Sequence, residues 1–287
     1  MMGSDRMGMW CPSCLGKLIE NSAEKRYECS NGHRFDIAKQ GYVNLLMSNQ
    51  KGSKEPGDGI EMIKARNSFL SKDLYFEVAE KTNEVIEECV VEPNANGVTS
   101  ILDIGCGEGY YLDKLIRHFE TKNITGEYYG MDISKHAVKI ASKKNHAATW
   151  LVGNNFFIPF ENESLNILLS VFSPIKMEEC ERVLKDQGYF VRLLPNPDHL
   201  IELREIIYAQ IDDKEKPSYE IEGEKLKLDK EENINYQISL DQEGIQELLL
   251  MTPHYWKTSK VTQARLAEYE SLDVTVAMKI LVFKKNC

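Results

Sequence analysis

Hydrophobic and polar positions change their rhythm twice along the chain. Residues 10–46 hold short mixed runs, "RYECS" and "HRFDIA", which predict small β-hairpins. A polar stretch follows, "MSNQKGSKEPGDG" (47–59), whose glycines and proline read as a linker or mobile loop. From Ile60 to Val90 apolar residues recur at helical spacing, which predicts two helices with a break near Ser71–Asp73. "EPNANG" closes that part.

From Thr99 the rhythm becomes an alternation of strands and helices. "SILDIG", "EYYGMDIS", "ATWLVGN", "SLNILLSVFSP" and "YFVRLLP" read as strands. Helices fall between them at "YYLDKLIRHFE", "KHAVKIASKKN" and "KMEECERVLKDQG", the last with a glycine stop. "HLIELREIIYAQ" reads as a further helix and "IQELLLMTPHYW" as a helix running into a loop. "DVTVAMKILVFKK" reads as a long terminal strand. Segment 211–245 is charge-rich and carries no readable period. Such alternation predicts βαβ units and a mostly parallel, Rossmann-like sheet covered on both faces, an α/β fold. The expected organisation is a small β unit over residues 1–46, linker and helices over 47–98, and the α/β domain over 99–287.

Composition adds limits. The 287 residues are 42% hydrophobic and 28% charged, enough for one large core with a satellite. No apolar run is long enough to span a bilayer, and "MMGSDRMGMW" lacks the apolar core of a signal peptide. The expectation is a cytoplasmic protein with no membrane partner. Net charge is −10, but residues 1–72 carry +3 and the remainder −13. An acidic body with a basic end excludes a simple nucleic-acid coat and points that end toward a polyanion.

In "LDIGCGEGYY" an apolar strand runs into Gly105, Gly107 and Gly109 before a helix. Glycines let the backbone turn sharply and approach a ligand, and free N–H groups at a helix start favour anionic atoms. The spacing is not that of a dinucleotide loop. Asp103 and Glu108 make it acidic, which suits pyrophosphate badly and a ligand with an amino group and a sulfonium well. The loop resembles the S-adenosylmethionine loop of class I methyltransferases. "GMDIS" strengthens the resemblance, because Asp132 ends the next strand, where it would accept from both ribose hydroxyls. After the third strand, where many such enzymes carry Asp for the adenine amino group, this chain has Asn154 and Asn155. "SVFSP" (170–174) ends the fourth strand, where ligands bind in open α/β sheets and where the methyl acceptor is expected, beside Phe172.

Three of the seven cysteines lie within the first 29 residues. Cys11-x2-Cys14 and Cys29-x3-His33 form two knuckles whose four ligands suit tetrahedral, structural zinc. Arg26, Arg34 and Lys39 alternate with Tyr27, Phe35 and Tyr42. The set suits phosphate contact with base stacking, or else the aromatics are the small unit's own core.

Taken together, the chain resembles the RlmA/RrmA family of 23S rRNA (guanine-N1)-methyltransferases. "CPSC", "CSNGHRFDIAKQGYVNLL", "GDGIEMIKARNSFL", "LDIGCGEGYY", "GMDISKHAVKIASKK", "FSPIKMEECERVLK", "PDHLIELREIIY" and "LLLMTPHYW" carry the resemblance, in order, from Cys11 to Trp256. It implies a zinc domain and a methyltransferase domain gripping an rRNA hairpin, as a homodimer, with transfer to guanine N1. One branch of the family is linked to macrolide resistance. The resemblance carries cofactor contacts to Tyr75, Gly107, Glu108 and His199, and zinc ligation to Cys11, Cys14, Cys29 and His33. Arg66 and His254 are candidates for substrate contact. Two departures stand out: Asn166 replaces an Asp before the fourth strand, and "KDQG" replaces "KPGG". The alternative is a small-molecule methyltransferase with the zinc unit as a lid.

Overall fold

The structure, a computed structural model, describes residues 8–50, 56–90, 98–208 and 223–286. The N-terminal unit holds β1 (Ile19–Asn21), β2 (Arg26–Glu28) and β3 (Arg34–Asp36), an antiparallel sheet, then β4 (Tyr42–Asn44). Helices α1 (Ile60–Ser71) and α2 (Phe76–Val90) follow, parted at 72–75 as the periodicity predicts. The α/β part runs β5 (Thr99–Ile104), α3 (Tyr110–Thr121), β6 (Gly126–Asp132), α4 (Lys135–Lys144), β7 (Ala148–Val152), β8 (Leu165–Val171), α5 (Met177–Val183), β9 (Leu184–Pro195) and α6 (Ile201–Ile207). It ends with β10 (Leu226–Asp241), α7 (Gln242–Met251), α8 (His254–Lys257), α9 (Lys260–Leu266) and β11 (Ser271–Lys285). "EPNANG", linker residues 51–55 and the first part of the charge-rich segment lie outside the described residues.

One eight-stranded sheet organises the chain, in the order β10-β11-β9-β8-β5-β6-β7-β4. The strands from β9 to β4 are parallel, and β11 and β10 close one edge antiparallel. The strand order reverses direction beside β5, so the carboxyl ends of β5 and β8 flank a crevice where open α/β sheets bind ligands.

β4 lies within the span read as the N-terminal unit, yet it pairs with β7, Tyr42 opposite Trp150 and Asn44 opposite Val152. The same unit also covers a sheet face. Met9, Cys11, Leu18 and Tyr27 share a core with Leu102, Ile104, Leu151, Phe160 and Phe190. The Trp10 N–H donates to Pro159 O at 2.9 Å, and the Arg182 guanidinium lies 4.8 Å from the Trp10 ring centre. On the opposite face α1, α2 and α3 bring Phe69, Val78, Ile86, Leu112 and Phe119 against Trp150 and Val191.

The structure corrects one boundary and decides two points that the sequence leaves open. Helix α5 stops at Val183, not at Gly188, because fully buried Leu184 already pairs with Leu165 in the sheet. The "KDQG" residues lie inside β9, where Gln187 has φ 63° and the register with β8 shifts. The charge-rich segment contains a sixteen-residue strand, β10, whose buried Ile234, Ile238 and Leu240 alternate with polar residues. Tyr27 and Tyr42, weighed as stacking platforms for RNA, are only 4% and 6% exposed and belong to the core.

Candidate active site and metal centre

The glycine loop is built from three left-handed residues, Gly105 (φ 70°), Gly107 (φ 56°) and Gly109 (φ 83°). Gly105 and Cys106 donate their N–H groups to Met131 O, at 2.7 and 3.0 Å, which ties the loop to the end of β6. A Cβ at Gly105 would lie 2.1 Å from Ser173 Oγ, so the loop is closed against the end of β8. A Cβ on Gly107 would meet Arg66 Nη1 at 3.7 Å, an ordinary contact, on the cavity side. Gly109 is different: its Cβ would strike Trp150 at 2.6 Å, and it does not line the cavity. The expectation that Gly109 touches cofactor is therefore corrected. It admits helix α3 at close range to β7.

A cavity of about 1040 Å³ opens over the carboxyl ends of β5, β6, β8 and β9. Tyr75, Asp103, Gly105, Gly107, Glu108, Asp132, Asn154 and His199 all line it, as do Arg66, Phe172 and His254. Arg34 and Lys39 lie elsewhere, exposed on the N-terminal unit. The cavity also exposes residues that the motifs did not single out. Arg192 is the most legible of these, a lone cation inside the apolar strand "YFVRLLP"; Tyr208 and Asp58 carry no comparable signal.

Asp132 holds the loop directly. Its Oδ2 accepts the Gly107 N–H at 3.0 Å and its Oδ1 accepts the Ser134 N–H at 2.7 Å. Burial nevertheless pushes its carboxyl above the usual range, with those two bonds acting the other way. Asp103 and Glu108 are each only 1% exposed. Burial, with Asp132 and Glu108 nearby, pushes Asp103 up to about 8. Glu108 is also raised by burial, against the pull of Arg66. Arg66 itself pairs with Asp58 at 2.6 Å and donates to Met251 O at 3.3 Å, so it joins α1 to the end of α7 across the cavity wall. Three crowded carboxyl groups with raised affinity for protons are a setting that a cationic ligand relieves.

His199 is neutral near pH 7, since burial, helped by His254 and Arg204, lowers it to about 4. Its Nδ1 accepts the Ala277 N–H at 3.3 Å, so the ring proton sits on Nε2. His254 Nδ1 meets Tyr208 Oη at 2.8 Å.

The residues fit S-adenosylmethionine on grounds internal to this structure. Buried Asp103 Oδ1, Tyr75 Oη and Tyr111 Oη have no protein hydrogen-bond partner, and their residues line the cavity. Buried polar atoms of this kind mark where a polar ligand or water completes the bonding. Gly107 leaves the cradle that a Cβ would fill. The acidic trio suits a ligand bearing ammonium and sulfonium charges and would repel a pyrophosphate.

The metal centre forms at the other end of the N-terminal unit. The ligand atoms of Cys11, Cys14, Cys29 and His33 all lie within 4.8 Å of one another. Cys14 Sγ is 3.7 Å from Cys29 Sγ, and Cys29 Sγ is 3.4 Å from His33 Nδ1. Tetrahedral zinc with Zn–S near 2.3 Å separates two sulfurs by about 3.8 Å, which matches. Left-handed Leu15 (φ 60°) and Gly32 (φ 81°) complete the two knuckles. The Gly16 N–H is the main influence holding the Cys14 thiol down at about 6, toward the thiolate a metal needs. Four protein ligands leave no open position, so the zinc is structural.

Comparison with known proteins agrees with both sites. The family model described as "RlmA, N-terminal" matches residues 9–54, and the "Methyltransferase domain" model matches residues 101–188. YxjB of Bacillus subtilis, provisionally named a 23S rRNA (guanine-N1)-methyltransferase, is 30% identical over 96% of this chain and 96% of its own. The 23S rRNA (guanine(748)-N1)-methyltransferase of Streptomyces fradiae is 28% identical over 95% of each chain. With a cysteine-histidine centre, a glycine loop over a parallel sheet and a near-full-length relative at this identity, the chain belongs to the RlmA family of 23S rRNA (guanine-N1)-methyltransferases.

Proposed function

We propose that this chain transfers the methyl group of S-adenosylmethionine to N1 of a guanine in a hairpin loop of 23S rRNA. The observation that carries the reading is the near-full-length relationship to two proteins named for that reaction, one over each chain's whole architecture. The cavity supports it, since it runs from the glycine loop to the ends of β8 and β9 and has room for a second planar ligand.

In this reading Asp132 receives the ribose hydroxyls, while Asn154, at the end of β7, faces the adenine. Asp103 and Glu108 face the amino-acid end, with Tyr75 and His199 along the wall. When bound, the sulfonium supplies an electrophilic methyl carbon. For transfer of that carbon, N1 of guanine would have to give up its proton to solvent or to a base. His199 is not that base, because its Nδ1 lone pair is already taken by the Ala277 N–H. Holding N1 in line with the methyl carbon supplies much of the acceleration. Arg66, Phe172 and His254 border the acceptor end, and Arg34 and Lys39 on the zinc unit meet RNA phosphates. The enzyme works as a homodimer in the cytoplasm. No helix among the described residues is long and apolar enough to cross a membrane.

The test is incubation with methyl-labelled S-adenosylmethionine and unmethylated 23S rRNA, followed by digestion and nucleoside mapping. Label in 1-methylguanosine from one hairpin is expected. Label confined to small molecules overturns the reading.

A further inference from the structure

Phe172 follows the last residue of β8 and combines three features that a merely structural phenylalanine does not need. Its backbone is left-handed, φ 52°, a region costly for a residue with a bulky side chain. Its side chain is 44% exposed although it lines the cavity. One side of its ring stacks on His199, with ring centres 6.4 Å apart and planes 18° from parallel.

The surroundings hold this arrangement rigidly. The Phe172 N–H donates to Leu193 O at 3.1 Å, the Ser170 hydroxyl donates to Ser173 O at 3.2 Å, and Asn155 Nδ2 donates to Ser173 Oγ at 2.7 Å. Ser173 in turn abuts Gly105. A strained backbone is thus fixed on both sides, and its product is an aromatic face turned to the cavity.

We infer that Phe172 is the stacking platform for the extruded target guanine, with His199 as the backing that keeps its ring flat against the base. The inference rests on the proposed function and names the residue that receives the acceptor. Asn155, next to Asn154, donates to Ser173, so the loop after β7 and the Phe172 turn close the same end of the cavity. Neutral His199 suits this duty, because a charged imidazolium would bring solvent into the stack. The base must leave its own stack to arrive, and an aromatic face offsets part of that loss.

The experiment uses the full-length protein with an RNA hairpin carrying the target guanine. Phe172→Tyr, Phe172→Leu and Phe172→Gly are compared with the parent in kcat, KM for RNA, cofactor Kd and melting temperature. Phe172→Gly relieves the left-handed strain, so it folds even where a bulkier aliphatic residue is tolerated poorly. The expected result is near-parent turnover for Phe172→Tyr. Phe172→Leu and Phe172→Gly should lose roughly 5- to 150-fold in kcat/KM, the range of one base–aromatic stack. Cofactor Kd and melting temperature should stay within about twofold and a few degrees of the parent. A cofactor Kd raised in step with the loss of turnover in the Phe172 variants would assign the ring to the cofactor's adenine and overturn the platform. Parent-like kcat/KM for both Phe172→Leu and Phe172→Gly overturns the platform alone. Failure of the parent to methylate the hairpin overturns the platform and the proposed function together.

Discussion

The Gly107 N–H and the Asp132 carboxylate lie 3.0 Å apart, and this bond joins those from Gly105 and Cys106 to Met131 O in holding the glycine loop after β5 to the end of β6. The residue placed to receive the ribose is therefore also the residue that shapes the loop beneath the rest of the cofactor. Asp132→Ala should raise the cofactor Kd by about 100-fold or more, the product of two lost charge-assisted bonds. Asp132→Asn keeps one acceptor oxygen and should lose less. Isothermal titration with S-adenosylmethionine and S-adenosylhomocysteine checks the order, and equal Kd for all three proteins would remove Asp132 from the site.

Gly105 and Gly109 should separate under the same substitution. Alanine at Gly105 meets Ser173 Oγ in a left-handed backbone, and alanine at Gly109 meets Trp150 in another. Each should cost about 1–3 kcal/mol of stability. Only Gly105→Ala should also weaken cofactor binding by an order of magnitude. Adding Ser173→Gly should recover room at Gly105 but not the backbone strain. Denaturant melts paired with cofactor titrations distinguish the two.

Cys14→Ser should release zinc and do more than loosen RNA binding. The unit that the metal organises shares a core with Phe160 and Ile158, a few residues past Asn154. Cofactor affinity should therefore fall several-fold along with the zinc content, and restoring zinc to chelator-stripped parent protein should restore both. Metal analysis beside calorimetry reads this directly. Unchanged cofactor affinity in zinc-free protein would make the two sites independent.

Asp103 and His199 predict pH dependences of opposite sign. Asp103, near 4 when unfolded and about 8 when folded, costs stability progressively as pH rises across that window. His199, near 6.5 unfolded and about 4 folded, contributes stability that is present above 6.5 and lost as pH falls to 4. The stability gain of Asp103→Asn over the parent should therefore grow from pH 4 to pH 8. Replacing His199 with Gln should remove the loss below pH 6.5. A cationic ligand draws Asp103 back toward its ionised form, so cofactor binding below pH 8 should release protons and tighten with pH. Calorimetry in buffers of different ionisation enthalpy measures that release.

The sequence carried much of this site because its chemistry depends on local words. "GCGEGYY", "GMDIS" and the cysteine knuckles each need specific residues at fixed spacing, and the cavity brings Asp132, Glu108, Tyr75 and His199 to one place. What escaped was set by partners distant in the chain. Gly109 reads as one more loop glycine until Trp150 is found beneath it. Tyr27 and Tyr42 suit an RNA-binding face or a core equally by composition, and only their burial decides for the core. Strand β10 hides its period of two under surface charge, since alternation is legible only where the outward residues are plainly different from the inward ones. Asn166 looked like a defect in a family pattern. Its Oδ1 accepts from the Ser100 hydroxyl at 2.7 Å and Lys185 Nζ at 3.0 Å, stitching β5 and β8 together far from the cofactor.

The pairing of Tyr42 with Trp150 also sets a schedule for synthesis. The ribosome finishes β4 more than a hundred residues before β7 exists to receive it. Until then the zinc knuckles can close, but β4 has only its bridge to Ile37 and no partner on its other side. The nascent chain must hold that edge through two further strands, β5 and β6, a natural point for chaperone contact or for a folding pause. Moving the zinc unit to another protein would export that same open edge.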